Sequence, residues 1–211
     1  DKERAATLNH AFYKLSKKAK QFYLLGPNIQ AIPPGFPERF RCLFYRTDYS
    51  TVVTELTRIT PVKGNELVEL VALCRRLIGP TLIFCASPAK ARKIANALLD
   101  GEVGKASHGM AEAADWVATN YDPEWTLSRA LRMGIGMHHG RMPRALAQVV
   151  VKGFNSEAID FLVCTSTLIE GVNTKAKNVI IFDNKIATQK YDYFTFNNIR
   201  GRSGRMFEHF V

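Results

Sequence analysis

Several common signals are missing from these 211 residues. No apolar run approaches the ~20 residues needed to cross a bilayer, so the chain is read as having no membrane partner. No internal repeat and no low-complexity tract is present. The four cysteines, Cys42, Cys74, Cys85 and Cys164, form no CxxC pair. A zinc site or disulfide framework needs tighter, patterned spacing. Buried free thiols are the expectation, and they suggest a reducing, cytoplasmic setting. There is no GxxxxGK[ST] phosphate loop; Gly101 to Ser107 contains Gly-Lys without that spacing. Acidic residues are also scarce: 29 Lys and Arg stand against 19 Asp and Glu, a net charge of +10. Such a balance favours a polyanionic partner, most often nucleic acid.

What is present has an ordinary globular composition, 46% hydrophobic and 23% charged. The start at Asp1-Lys2 without a methionine and the end at Phe210-Val211 read as cuts made in a longer protein. Residues 3–20 place Leu8, Phe12, Leu15 and Ala19 at helical spacing. From Gly26-Pro27 to Pro37 the prolines and glycines mark a linker. Residues 1–38 are therefore expected to be an N-terminal helix and linker, and residues 39–211 the main domain.

Beyond the linker, strand and helix signals alternate. Arg41–Tyr45 and Thr51–Leu56 are rich in β-branched and aromatic residues, as strands are. Residues 65–78 put Leu67, Leu70, Val71, Cys74, Leu77 and Ile78 on one helical face. Thr81–Cys85, Phe161–Cys164 and Val179–Phe182 are short continuous apolar runs suited to buried parallel strands. Gly134–Met137 begins another strand. Ser87-Pro88 starts a helix with Ser as N-cap and Pro at the first helical position. Two helices fill 101–133, with Asp122-Pro123-Glu124 as a start signal. Pro143 opens a helix that buries Leu146, Val149, Val150 and Phe154, and a last helix carries Asn197 to Arg205. This alternation predicts an α/β fold with an open, mostly parallel sheet flanked by helices.

In such sheets ligands gather where loops leave the carboxyl ends of the strands. Four clusters fall there. At Phe84-Cys85-Ala86-Ser87-Pro88 a strand turns into a helix whose free N–H groups suit a phosphate, although the same residues also make an ordinary capped helix. Met137-His138-His139-Gly140-Arg141 holds two adjacent histidines. Neighbouring strand side chains point to opposite faces, so one ion cannot easily take both, and no metal site is expected. His139, Gly140 and Arg141 fit better beside a phosphate backbone. Gly134 to Gly140 has GxGxxxG spacing and leads into a strand, unlike a dinucleotide fingerprint. Cys164-Thr165-Ser166-Thr167 ends a buried strand in three hydroxyls, and Gly171 lies close behind. Those hydroxyls suit phosphate oxygens or a helix cap. Asn198-Ile-Arg200-Gly201-Arg202-Ser203-Gly204-Arg205 packs three arginines and two glycines into six residues from Arg200. Arg202 and Arg205, three apart, share a helical face and offer a fork to a triphosphate.

Taken in order, these clusters resemble the C-terminal, second RecA-like domain of superfamily 2 DEAD/DEAH-type helicases. Thr81–Pro88 looks like motif IV, Thr165–Asn173 like motif V and Asn198–Arg205 like motif VI. His138-His139-Gly140 before a Pro-started helix, with Thr-Ser-Thr-Leu-Ile-Glu-Gly-Val-Asn, is most similar to the superkiller-type (Ski-like) branch. The likeness covers roughly 65–211 and implies a RecA-like P-loop NTPase fold. It implies that ATP and Mg²⁺ are held mainly by a first RecA-like domain, the partner of this one. Arg202 and Arg205 would act as catalytic arginine fingers. Gly171, Asn173, Asn198 and Gly201 would face the nucleotide; Asn198 stands where the family usually has Gln, its amide one methylene shorter. Ser87, the His139-Gly140-Arg141 loop, Thr165, Ser166 and Thr167 would lie along single-stranded DNA or RNA. No acidic Asp-Glu motif of the first domain is present, so this chain alone is expected to be inactive. The other reading is a non-catalytic nucleic-acid-binding module with a helicase-like fold. The aromatic run Tyr191–Phe196 suits either base stacking or core packing.

Overall fold

The computed structural model describes residues 2–26, 30–47, 55–168, 174–183, 185–186, 189–190, 196 and 199, with the backbone alone for 2–4, 185–186 and 189–190. The chain divides into two compact units, residues 1–50 and 51–211.

The first unit contains helix α1 (Lys2–Ser16) and a short helix α2 (Phe36–Phe40). Pro37 occupies the first turn of α2, and left-handed backbone at Gly35 and Arg41 brackets it. Four phenylalanines gather the unit: the Phe12 ring lies 5.2 Å from Phe22, 5.9 Å from Phe36 and 4.9 Å from Phe40, centroid to centroid. Leu8 and Leu15, which share helical spacing with Phe12 on α1, are exposed. Arg41–Tyr45 is not a strand: residues 42–47 have no regular structure, and Leu43 and Tyr45 are exposed. A β-rich composition needs a neighbouring strand to complete its hydrogen bonds, and none is paired with this segment among the described residues. Residues 51–54 lie outside the described residues, and Glu55-Leu56 is irregular.

The second unit is an open parallel sheet flanked by helices. Its strands are β1 (Thr81–Phe84), β2 (Ile135–His138), β3 (Phe161–Cys164) and β4 (Asn178–Ile181), in the spatial order β2-β3-β1-β4. All three pairings are parallel, with Thr81 opposite both Phe161 and Asn178, and Ile135 opposite Phe161. β1 and β3 occupy the middle and are buried along their whole length, as their continuous apolar sequences demand. Of the two edge strands, β2 is buried over Ile135–Met137, whereas β4 is only partly buried. A two-stranded antiparallel ribbon, β5 (Lys185–Ile186) and β6 (Gln189–Lys190), follows; no sequence signal marked it.

Helices α3 (Glu66–Cys74), α4 (Pro88–Asp100), α5 (His108–Asn120), α6 (Thr126–Arg132) and α7 (Arg144–Asn155) connect the strands. α4 begins as its sequence predicts: the Ser87 Oγ accepts the Lys90 N–H at 3.2 Å, and Pro88 is the first helical residue. It buries Ala91, Ile94, Ala95 and Leu98 completely, while Leu99 is half-buried. α3 stops at Cys74, so Ile78 falls outside it and is exposed. α6 starts at Thr126, later than Asp122-Pro123-Glu124, because Asp122 instead closes a turn in which its Oδ1 accepts the Glu124 N–H at 2.8 Å. On α7, Leu146, Val150 and Phe154 are buried, but Val149 is partly exposed and lies off the inner stripe. Each fully buried Leu, Ile or Phe contributes about 1.5–3 kcal/mol relative to exposure. The expected last helix lies outside the described residues apart from Ile199, which is helical and buried.

Candidate nucleic-acid and nucleotide edge

Parallel strands end on one edge, so the loops after β1, β2, β3 and β4 leave the sheet side by side. The sheet hydrogen bonds continue into them. The Thr165 N–H donates to the His138 carbonyl at 3.1 Å, the Cys85 N–H to the Cys164 carbonyl at 2.9 Å, and the Phe182 N–H to the Phe84 carbonyl at 2.9 Å. These bonds bring three of the sequence clusters onto a single edge.

After β3, residues Ser166–Leu168 make one 3₁₀ turn, closed by the Leu168 N–H on the Thr165 carbonyl at 3.1 Å. Leu168 is buried and anchors the turn. Thr165 is buried, Ser166 half-buried and Thr167 exposed, with the Thr165 and Thr167 hydroxyls 3.1 Å apart. The turn touches the loop after β2: a Cβ added to Gly140 would lie 3.2 Å from the Thr167 methyl. That loop is drawn tight by the Met142 N–H on the His139 carbonyl at 3.0 Å, and it leaves Gly140 and Arg141 exposed.

His138 and His139 are half-buried, and the Nδ1 of each is buried with no hydrogen-bond partner among the described residues. Burial holds both imidazoles below their ordinary pKa; the adjacent His139 adds to this for His138, and Arg141 for His139. At neutral pH both are therefore uncharged and can only hydrogen-bond. The positive charge of this loop rests on Arg141. Among the described residues no three His, Cys, Asp or Glu side chains gather into a metal-holding group. The described residues do not form a magnesium site.

Ser87 stands at the end of β1, but its hydroxyl is already engaged as the cap of α4. Asp183, which the sequence reading passed over, sits in the same loop cluster. Its Oδ2 accepts the Ala86 N–H at 2.9 Å, and its Oδ1 lies 3.8 Å from the Lys90 ammonium, which also sits 5.2 Å from the centre of the Phe182 ring. A carboxylate thus sits beside the start of α4, bound to the residue before its N-cap. The available signal was positional: Asp183 comes two residues after the apolar strand β4, as the other clusters follow theirs. Cys85 and Cys164 flank the edge but are inert. Burial pushes the Cys85 thiol up to about 12, and that of Cys164 well above the ordinary range. Cys74 is likewise buried, whereas Cys42 is half-buried.

Gly171, Asn173, Asn198, Gly201, Arg202 and Arg205 lie outside the described residues. The structure brings together Thr165, Ser166, Thr167, His139, Gly140 and, one strand further, Ser87.

The helicase conserved C-terminal domain family matches residues 63–207. The chain belongs to this family. Its resemblance to the second RecA-like domain of superfamily 2 helicases is thereby upheld, and with it the RecA-like α/β class. The chain is 41% identical over 217 residues to anti-bacteriophage protein B of Escherichia coli, which takes in 99% of this chain and 29% of that protein. It is 24% identical over 178 residues to ATP-dependent DNA helicase Hel308 of Caldivirga maquilingensis, covering 76% of this chain and 23% of the relative. The chain thus spans less than a third of either relative. Among solved structures, S. cerevisiae Dbp5 bound to RNA and ADP BeF3 aligns with a TM-score of 0.47 and 18% identity, over 66% of this chain and 29% of that one. No described helix is long and apolar enough to cross a membrane.

Proposed function

We propose that this helicase C-terminal domain is the second motor domain of a cytoplasmic, ATP-dependent nucleic-acid translocase or helicase. The observation that carries the reading is the gathering of the motif IV, the His-His-Gly and the motif V loops on one carboxyl edge, in a chain whose net charge is +10. In this reading residues 1–38 are a helix and linker and residues 39–211 the motor domain; the partner is an N-terminal RecA-like domain of the same protein.

The edge has two tasks. Thr165, Ser166 and Thr167 offer hydroxyls, Gly140 offers open backbone, and Arg141 supplies charge; together they suit the phosphates of a single DNA or RNA strand. Neutral His139 contributes a hydrogen bond there. Ser87 acts from one step behind, by fixing the start of α4. At the other end of the domain's motif series, Gly171, Asn173, Asn198 and Gly201 face the nucleotide, and Arg202 and Arg205 present guanidinium groups to its γ-phosphate. ATP supplies the free energy when bound between the two domains. The arginines of this chain stabilise the negative charge that grows during transfer, and by analogy such groups are worth about 10³–10⁵ in rate.

The test is the ATPase rate of the intact protein with single-stranded DNA and RNA compared side by side. Arg205→Ala is expected to abolish stimulated turnover, by about 10³-fold or more, with an unchanged thermal midpoint. Unchanged turnover would remove Arg205 from this role. The absence of any stimulated ATPase in the unaltered protein would favour a non-catalytic binding module instead.

A further inference from the structure

The positive charge of the chain is unevenly spread. Residues 106–128 contain four acids, Glu112, Asp115, Asp122 and Glu124, and no Lys or Arg. This stretch forms α5 and its turn into α6, and all four acids are exposed. Between them lies a ladder of three aromatic rings. Trp125 packs against the core, the Tyr121 ring lies 5.5 Å from it, and the Trp116 ring lies 5.9 Å from Tyr121 in an edge-to-face arrangement. The ladder leads outward: Tyr121 is 50% and Trp116 52% exposed.

The segment that carries these rings is closely hydrogen-bonded. The Tyr121 N–H closes α5 on the Val117 carbonyl at 3.0 Å, and the Asn120 side chain donates to the Trp116 carbonyl at 2.9 Å. The Ser128 hydroxyl reaches the carbonyls of Asp122, Pro123 and Trp125 at 3.1, 3.1 and 2.7 Å. Asp115 is paired with Arg132, which ties the base of α5 to α6. A platform already ordered loses little entropy when something docks on it. Exposed Trp and Tyr are the residue types that most often anchor interfaces.

Charge selects the occupant. Arg132 answers Asp115 and Arg129 follows Trp125 by one helical turn, but Glu112, Asp122 and Glu124 keep the rim net acidic and repel a phosphate backbone, so the aromatic ladder does not suit a stacked nucleic-acid strand. A purely apolar partner would leave Glu112, Asp122 and Glu124 unanswered. A segment rich in Arg and Lys satisfies both features: guanidinium groups stack on indole and phenol faces, and the same groups pair with carboxylates at the rim. Glu112 and Trp116 are four apart on α5 and share a helix face, so one side chain can reach both.

We propose that the Trp116–Tyr121–Trp125 face is a docking surface for a basic, arginine-bearing segment of another protein. It is independent of the nucleic-acid edge and does not rest on the motor reading.

The two tryptophans of the chain are Trp116 and Trp125, so intrinsic tryptophan fluorescence reports this face alone. The 211-residue chain titrated with octa-arginine is expected to show a saturable fluorescence change, and titrated with oligo-dT to show none. E112Q/D122N/E124Q keeps a hydrogen-bonding amide at each position and leaves the Asp115–Arg132 pair intact. It should bind octa-arginine about tenfold more weakly or worse, given several exposed ion pairs lost together, with unchanged circular dichroism. Trp116→Ala should lose most of the signal and the tighter part of the binding. The proposal fails if the neutralised variant responds like the unaltered chain, or if oligo-dT gives the same change. It also fails if the fluorescence tracks protein concentration alone and sedimentation shows a dimer, which would put a second copy on this face.

Discussion

Asp183 ties the ends of β4 and β1 together through the Ala86 N–H and reaches Lys90 on α4. Its role was illegible in the sequence because Ala86 is 97 residues away. Ser87, by contrast, was legible as an N-cap, since its partner Lys90 is three residues on and capping is a local affair. Asp183→Ala strands a half-buried N–H and removes a charge-assisted hydrogen bond, so it is expected to cost about 1–2 kcal/mol. Urea denaturation measures this, and Asp183→Asn, which keeps an acceptor oxygen, should recover part of the loss. The histidine pair gives stability a pH dependence. Both folded-state pKa values lie below the unfolded value, which is near 6.5. The unfolded chain therefore binds more protons in that range, and stability rises with pH. The contribution is fully present above about 6.5 and is lost as pH falls through the folded pKa values. Denaturation midpoints between neutral and mildly acid pH should drop in the unaltered protein and drop less in H138Q/H139Q.

At the scale of elements, legibility followed the range of the forces involved. The apolar runs of β1 and β3 announced buried strands, and the apolar stripes of α4 and α7 announced their inner faces. Arg41–Tyr45 carried the same β-type composition and failed, for want of a paired neighbour. Val149 was expected inside α7 and is partly exposed, since the groove beneath the helix sets how wide its buried stripe can be. That groove is shaped partly by Gly136 in β2. A Cβ there would lie 2.8 Å from the Val150 Cγ1 and 3.2 Å from the Ile159 and Leu162 Cδ1 atoms. Gly136→Ala is therefore expected to destabilise the fold by about 1–3 kcal/mol through overpacking. A thermal melt checks this, and Gly136→Ala combined with Val150→Ala should be less destabilised than the two single effects added together.

At the scale of the molecule, a chain with a net charge of +10 carries, among its described residues, a strand-end edge bearing hydroxyls and Arg141 and an aromatic face on α5 and its turn into α6 that is bordered by Glu112, Asp122 and Glu124. Single-strand binding through the edge should weaken steadily as salt rises, because each phosphate contact releases counterions. Fluorescence anisotropy of a labelled single strand across a salt series checks this, and salt-independent binding would contradict a phosphate-tracking surface. Arg141→Ala should reduce the slope by about one phosphate contact.

The amino-acid sequence by itself determined the α/β class, the capped start of α4, the four strands of the parallel sheet and the order of the family motifs, because each depends on residues within a turn or two of one another. Only the tertiary structure decided the strand order β2-β3-β1-β4. That order puts β4 at an edge beside β1, sets Thr165 against His138 and Gly140 against Thr167, and brings Asp183 to the Ala86 N–H just ahead of α4. These contacts join loops tens of residues apart along the chain. Periodicity and capping carry no information about them, and they arise only when the sheet closes its hydrogen bonds and the core excludes water.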